Sequence, residues 1–188
     1  MLRSPLTPVW ATLAGGMMLC ASGAMADVLT VYPDGSGDYT AIQDAIDASA
    51  SGDTILVGPG SYNERLDPAG KDLTIRGING YPQTIVDPGG GGGTLLTVAN
   101  GENDLRIEGL SFRNGQNTPM TVLNAKTNSR FISCRWLGGT ATEGAAMKID
   151  GATVSFLNCQ WVSNISTSLG GAIHASNADL DFIGGKFV

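Results

Sequence analysis

Lys148 and His174 lie 26 residues apart, and each follows directly on an apolar residue, Met147 and Ile173. Laid side by side, with Asp150 two positions beyond Lys148, they would set a base next to a carboxylate. That arrangement can abstract a proton from a uronic acid. Arg106 and Arg130 lie 24 residues apart and are followed at equivalent positions by Ser155 and Asp181. Two stacked guanidinium groups would bind a carboxylated or sulfated sugar. The competing reading of both sets is a row of solvated polar side chains on a sheet surface. Metal chemistry is disfavoured: Cys134 and Cys159 stand in no metal-ligand spacing, the chain has one histidine, and no stretch clusters carboxylates. Neither metal nor cofactor is expected.

These pairings need a framework that lays one residue over another, and the sequence supplies it. Ile107, Phe131, Phe156 and Phe182 recur at steps of 24, 25 and 26 residues. Each opens a segment of similar pattern: "RIEGLSFRNG", "RFISCRWLGG", "SFLNCQWVSN" and "DFIGGKFV". Phe112, Trp136, Trp161 and Phe187 form a second row, and Leu110, Cys134, Cys159 and Gly185 a third. A fixed period in the twenties, with short strands parted by Gly, Asn and Asp turns, is the signature of a solenoid. Leucine-rich repeats are excluded because their leucine framework is missing. The expected fold is all-β: a single-stranded right-handed parallel β-helix with a short N-terminal capping helix.

In such a coil, alternation sends successive side chains inward and outward. A further row, Val98, Val122, Met147 and Ile173, is expected to point inward, which places Ala99, Leu123, Lys148 and His174 outside. Cys134 and Cys159 then stack, either bridged or as buried thiols. In "YTAIQDAIDASASGD", Ala41, Ile42, Ala45 and Ile46 share a helical face, and Thr40 with Gln43 reads as a capping box. "DTILVGPGSY" is expected to enter the first strand. The step from Ile75 to Ile107 is 32 residues, and its surplus falls on "DPGGGGG" (87–93), read as a loop pushed out of one turn.

Residues 1–26 read as a secretory signal peptide, with Arg3, an apolar stretch and Ala24-Met25-Ala26 before Asp27. Residues 27–188 form the β-helix domain, with no membrane span expected in that part. The chain stops at Val188 inside an expected strand, so a C-terminal continuation of the β-helix is expected. The formal net charge of -6 argues against a nucleic-acid partner.

"VYPDGSGDYTAIQDAIDASASGDTILVGPGSYNERL" resembles the opening of right-handed parallel β-helix proteins of the pectin lyase-like superfamily. "GKDLTIRGINGYPQTIVD" and "LRIEGLSFRNG" continue the likeness. "GSYNE" (60–64) is similar to the Gly-x-Tyr-x-Glu of pectin methylesterases, and "DFIGG" (181–185) to their Asp-Phe-Ile-Phe-Gly. That second likeness implies Asp181 as a nucleophile. Their Gln-Asp-Thr-Leu segment is missing after "RFISCRWLGG", and "DFIGG" comes one coil late. "CQWVSNISTSLGGAIHASNADLDFIGGKFV" resembles instead a unit of secreted surface repeat proteins with GGAI and Phe-x-x-Asn motifs.

The expected function is a secreted, periplasmic or cell-surface repeat scaffold presenting an elongated face to a polysaccharide or cell-surface glycan. The alternative is a pectin-type enzyme, a polysaccharide lyase or carbohydrate esterase. Its catalytic candidates are Asp181, Lys148 and His174, with Arg106, Arg130 and Asp150 as binding candidates.

Overall fold

A computed structural model describes residues 25–89, 91–124 and 127–188. The expected leader falls almost wholly outside them. The chain winds as a right-handed parallel β-helix. Among the described residues the strands stack into four parallel sheets. Sheet A contains β1 (Val28–Val31), β2 (Thr54–Val57), β4 (Thr74–Gly77), β7 (Leu105–Glu108), β10 (Asn128–Ile132), β14 (Thr153–Leu157) and β18 (Asp179–Ile183). Sheet B contains β3 (Gly60–Tyr62), β5 (Thr84–Val86), β8 (Ser111–Arg113), β11 (Arg135–Leu137), β15 (Gln160–Val162) and β19 (Lys186–Phe187). Sheet C contains β6 (Leu96–Val98), β9 (Thr121–Asn124), β13 (Met147–Asp150) and β17 (Ile173–Ser176). Sheet D is the pair β12 (Thr140–Glu143) and β16 (Ile165–Leu169).

The repeat rows are physical stacks. Phe131 pairs in register with Ile107 and Phe156, and Phe156 with Phe182. Trp136 pairs with Phe112 and Trp161, and Trp161 with Phe187. The rings of Phe112, Trp136, Trp161 and Phe187 lie nearly parallel, at centroid separations of 5.6, 5.6 and 4.4 Å. Phe131 and Phe156 meet the tryptophans edge-on, so the two rows lock into one aromatic core. Trp136, Trp161, Phe112, Phe131 and Phe156 are fully buried. In the last coil the same rows end in Phe182 and Phe187, which are 42% and 60% exposed. Cys134 and Cys159 are buried free thiols, each directed at backbone carbonyls. Burial pushes the Cys134 thiol well above the usual cysteine range.

Three expectations are corrected. The strand that opens the fold is β1, which precedes the helix and pairs with β2. The helix α1 (Ile42–Ala48) buries Ile42, Ala45 and Ile46 as expected, but Thr40 and Gln43 form no capping box. The N-cap position before it is Ala41, which offers no side-chain cap. The carboxylate of Glu64 accepts the Ile42 and Gln43 N–H groups instead, at 2.9 and 2.8 Å. Two free backbone donors at a helix start favour such an anion. The third correction is a slip of one residue in β9 of sheet C. Thr121 faces inward, because its hydroxyl accepts the Trp136 indole N–H at 2.9 Å. The inner rows are therefore Leu96, Thr121, Met147, Ile173 and Val98, Leu123, Ile149, Ala175. Val122 moves to the outer row, Thr97, Val122, Lys148 and His174. A one-residue shift exchanges the two faces of a strand.

Candidate functional site

Sheet D exists because two consecutive coils extend after the tryptophan strand. The segments "TATE" and "ISTSL" rise from Gly139 and Asn164 and end at Gly144 and Gly170. The Asn164 side chain ties the coils, its Oδ1 accepting the Gly139 N–H at 3.0 Å and its Nδ2 donating to the Trp136 carbonyl at 3.0 Å. Gly144 is left-handed (φ +54°), and a Cβ there would sit 2.1 Å from the Met147 carbonyl oxygen. Only glycine lets the chain turn back so tightly. The register between β12 and β16 shifts after Ala141, as at a β-bulge.

Two clefts open over this sheet and meet at Asn117 and Thr142. One, of about 310 Å³, is lined by Asn117, Thr140, Ala141, Thr142, Ile165 and Thr167. The other, of about 200 Å³, is lined by Asn117, Thr118, Pro119, Thr142, Glu143 and Lys148. The groove thus spans three coils along the tube axis: the loop around Asn117, then β12, then β16. Hydroxyls and one amide dominate its walls. Its charged groups neutralise each other, since Lys148 Nζ donates to Glu143 Oε2 at 3.1 Å. The hydrogen bond and charge of Lys148 hold the Glu143 carboxyl below its usual range, with a further Coulombic contribution from His174.

Lys148 and His174 are directly opposite in register, as their spacing requires. Asp150 is exposed on the same strand, but the carboxylate that engages Lys148 is Glu143. Sequence reading passed over Glu143, although it stands only five residues before Lys148, across the Gly144 turn. Arg106 and Arg130 are directly opposite on sheet A, and Asp181 continues their row through Ser155. Asp181 therefore belongs to a different sheet from Lys148 and His174, and the chain does not gather these three side chains on one surface. Where the methylesterase likeness would put Gln-Asp-Thr-Leu, β12 presents Thr140, Ala141, Thr142 and Glu143. The "GSYNE" motif is explained by folding: Tyr62 donates its hydroxyl to the Gly58 carbonyl, and Glu64 caps α1. Among the described residues no cluster of His, Cys, Asp and Glu could hold a metal ion, and no helix is long and apolar enough to cross a membrane.

No protein-family model matches the chain. It is 36% identical over 115 residues to a probable pectinesterase/pectinesterase inhibitor of Arabidopsis thaliana, an alignment that takes in 57% of this chain and 22% of that protein. Its fold superposes on the pectin methylesterase of Aspergillus niger with a TM-score of 0.50 at 19% identity, covering 85% of this chain and 68% of the fungal one. The carrot pectin methylesterase also gives 0.50, at 17% identity, covering 78% and 52%. The aromatic stacks, the parallel registers and these superpositions together give the chain the right-handed parallel β-helix fold that these pectin methylesterases share.

Proposed function

We propose that the chain is an exported polysaccharide-binding β-helix that holds a glycan in the groove over β12 and β16. The observation that carries this reading is the lining of the two joined clefts. Thr140, Thr142, Thr167 and Asn117 offer donors and acceptors suited to sugar hydroxyls, while Glu143 and Lys148 satisfy one another. A groove running along the axis suits an extended polymer, which meets equivalent positions on successive coils. The similarity to pectinesterases supports a plant-type polysaccharide as the ligand. The leader-like residues 1–26 support export.

Catalysis in this groove would need an activated nucleophile or base facing the sugar. Lys148 is engaged by Glu143, and Asp181 lies on another sheet. The proposal is tested with the chain from Asp27 onward, methylated pectin and polygalacturonate. Binding of methylated pectin is expected to weaken roughly five- to tenfold for each of Thr142→Val and Thr167→Val, one hydrogen bond of about 1 kcal/mol apiece. Released methanol or unsaturated product, abolished by Lys148→Ala or Asp181→Asn, would overturn it in favour of an enzyme.

A further inference from the structure

We infer that sheet A carries a second binding site, an arginine face for glycans with regularly spaced anionic groups, carboxylate or sulfate. Five of the chain's seven arginines fall between positions 76 and 135, in a protein of net charge -6. Three of them, Arg76, Arg106 and Arg130, stand on β4, β7 and β10, which are consecutive neighbours in the sheet. Arg106 and Arg130 are directly opposite in register, about 4.8 Å apart by strand spacing. Like charges placed so destabilise a sheet, and nothing in the packing requires them there, because both point outward.

Glu108 relieves only part of this repulsion. Its carboxylate meets Arg106 Nε and, at 3.5 Å, Arg76 Nε. Among the described residues no carboxylate pairs with Arg130. Asp181 lies in the same row but two strands beyond, with Ser155 between. Three positive charges thus face one negative charge, and Glu108 holds two of the guanidinium groups in place for an incoming anion. Beside them lies a cleft of about 230 Å³, lined by Arg76, Glu108, Ile132 and Ser133 and floored by glycine backbone. A Cβ at Gly77 would meet the Gly109 carbonyl oxygen at 2.5 Å, so the floor must stay bare. An anionic group lying between Arg106 and Arg130, with its sugar ring in this recess, would turn an unfavourable pair into a chelate. The site is on a different sheet from the groove over β12 and β16 and stands or falls independently of it.

Calorimetric titration of the chain from Asp27 onward with oligogalacturonate, a sulfated dextran and neutral dextran tests the inference. Binding of one or both anionic polymers is expected, with affinity falling as salt rises and no response to neutral dextran. Which of the two binds more tightly identifies the anion. Arg106→Gln with Arg130→Gln is expected to lose at least tenfold in affinity, whereas Lys186→Gln retains it. Arg130→Lys, which keeps the charge and is the milder change, is expected to lose less than Arg130→Gln. Absence of binding to both polyanions, or equal losses in Lys186→Gln and the arginine variants, overturns the site. Neither result bears on the groove, which is read out by methylated pectin and the threonine variants.

Discussion

Trp136 and Trp161 stack with centroids 5.6 Å apart and planes only 7° apart, yet among the described residues only Trp136 finds an acceptor for its indole N–H. The acceptor is Thr121, and in the next coil the same register position is Met147. The two rings are equal in packing and unequal in hydrogen bonding. Thr121→Val is therefore expected to cost about 1–3 kcal/mol, the penalty of a buried donor left without a partner. Urea unfolding followed by tryptophan fluorescence measures it. A change within error would show that the hydroxyl contributes nothing.

Glu64 is expected to act as the clamp between the first coil and its cap. Glu64→Ala removes both acceptors from the start of α1, and a loss of roughly 1–2 kcal/mol is expected by analogy with N-cap deletions. Glu64→Gln keeps an acceptor oxygen and should lose less. Hydrogen exchange should rise at Ile42 and Gln43 first, while the aromatic coils stay protected. Uniform loss of protection along the whole tube would contradict this local role.

Ser129 sits inward between Leu105 and Val154, and its buried hydroxyl has no partner among the described residues. Ser129→Ala removes the polar atom without adding volume. A gain of about 1 kcal/mol in stability is expected, visible as a higher midpoint in thermal unfolding. A clear loss instead would mean that the hydroxyl is satisfied in solution.

The Glu143 carboxyl titrates below its unfolded value because Lys148 favours its charged form. Its folded state thus binds protons less readily than the unfolded chain does. The contribution of this pair is complete above the unfolded carboxyl value of about 4.3 and is lost as pH falls through the lower folded value. Lys148→Met is expected to return the Glu143 titration toward the unfolded value, as followed by NMR of its side-chain carboxyl. An unchanged titration would mean that the pair does not form in solution.

The aromatic rows were legible because Phe131, Trp136, Phe156 and Trp161 combine rare residue types with a constant step, and stacking leaves no other way to bury them. Strand β9 of sheet C departs by one residue from the phase expected of it. The strands there are short, and the inward residue of β9 is a threonine whose reason for burial is an indole fifteen residues away. The cap of α1 was misassigned for a related reason: its acceptor, Glu64, is 22 residues from Ile42 and invisible to a local motif. Lys148 and His174 were placed together from the repeat alone, since their relation is pure register. Glu143 is not legible from the repeat because its approach to Lys148 depends on the local Gly144 turn and not on register between coils. The same holds for the groove, whose walls are threonines that carry no motif.

The identity of register from coil to coil also has an evolutionary side. Residues 128–152 make up one full winding, since Asn128 and Thr153 occupy equivalent places. Excising that segment would seat Thr153 where Asn128 was, lay Trp161 on Phe112, and hand Trp161 the Thr121 hydroxyl it now lacks. Whole windings are thus interchangeable cassettes for lengthening or shortening the molecule, whereas the loss of a single residue inside a strand would throw the rest of that strand onto the wrong face.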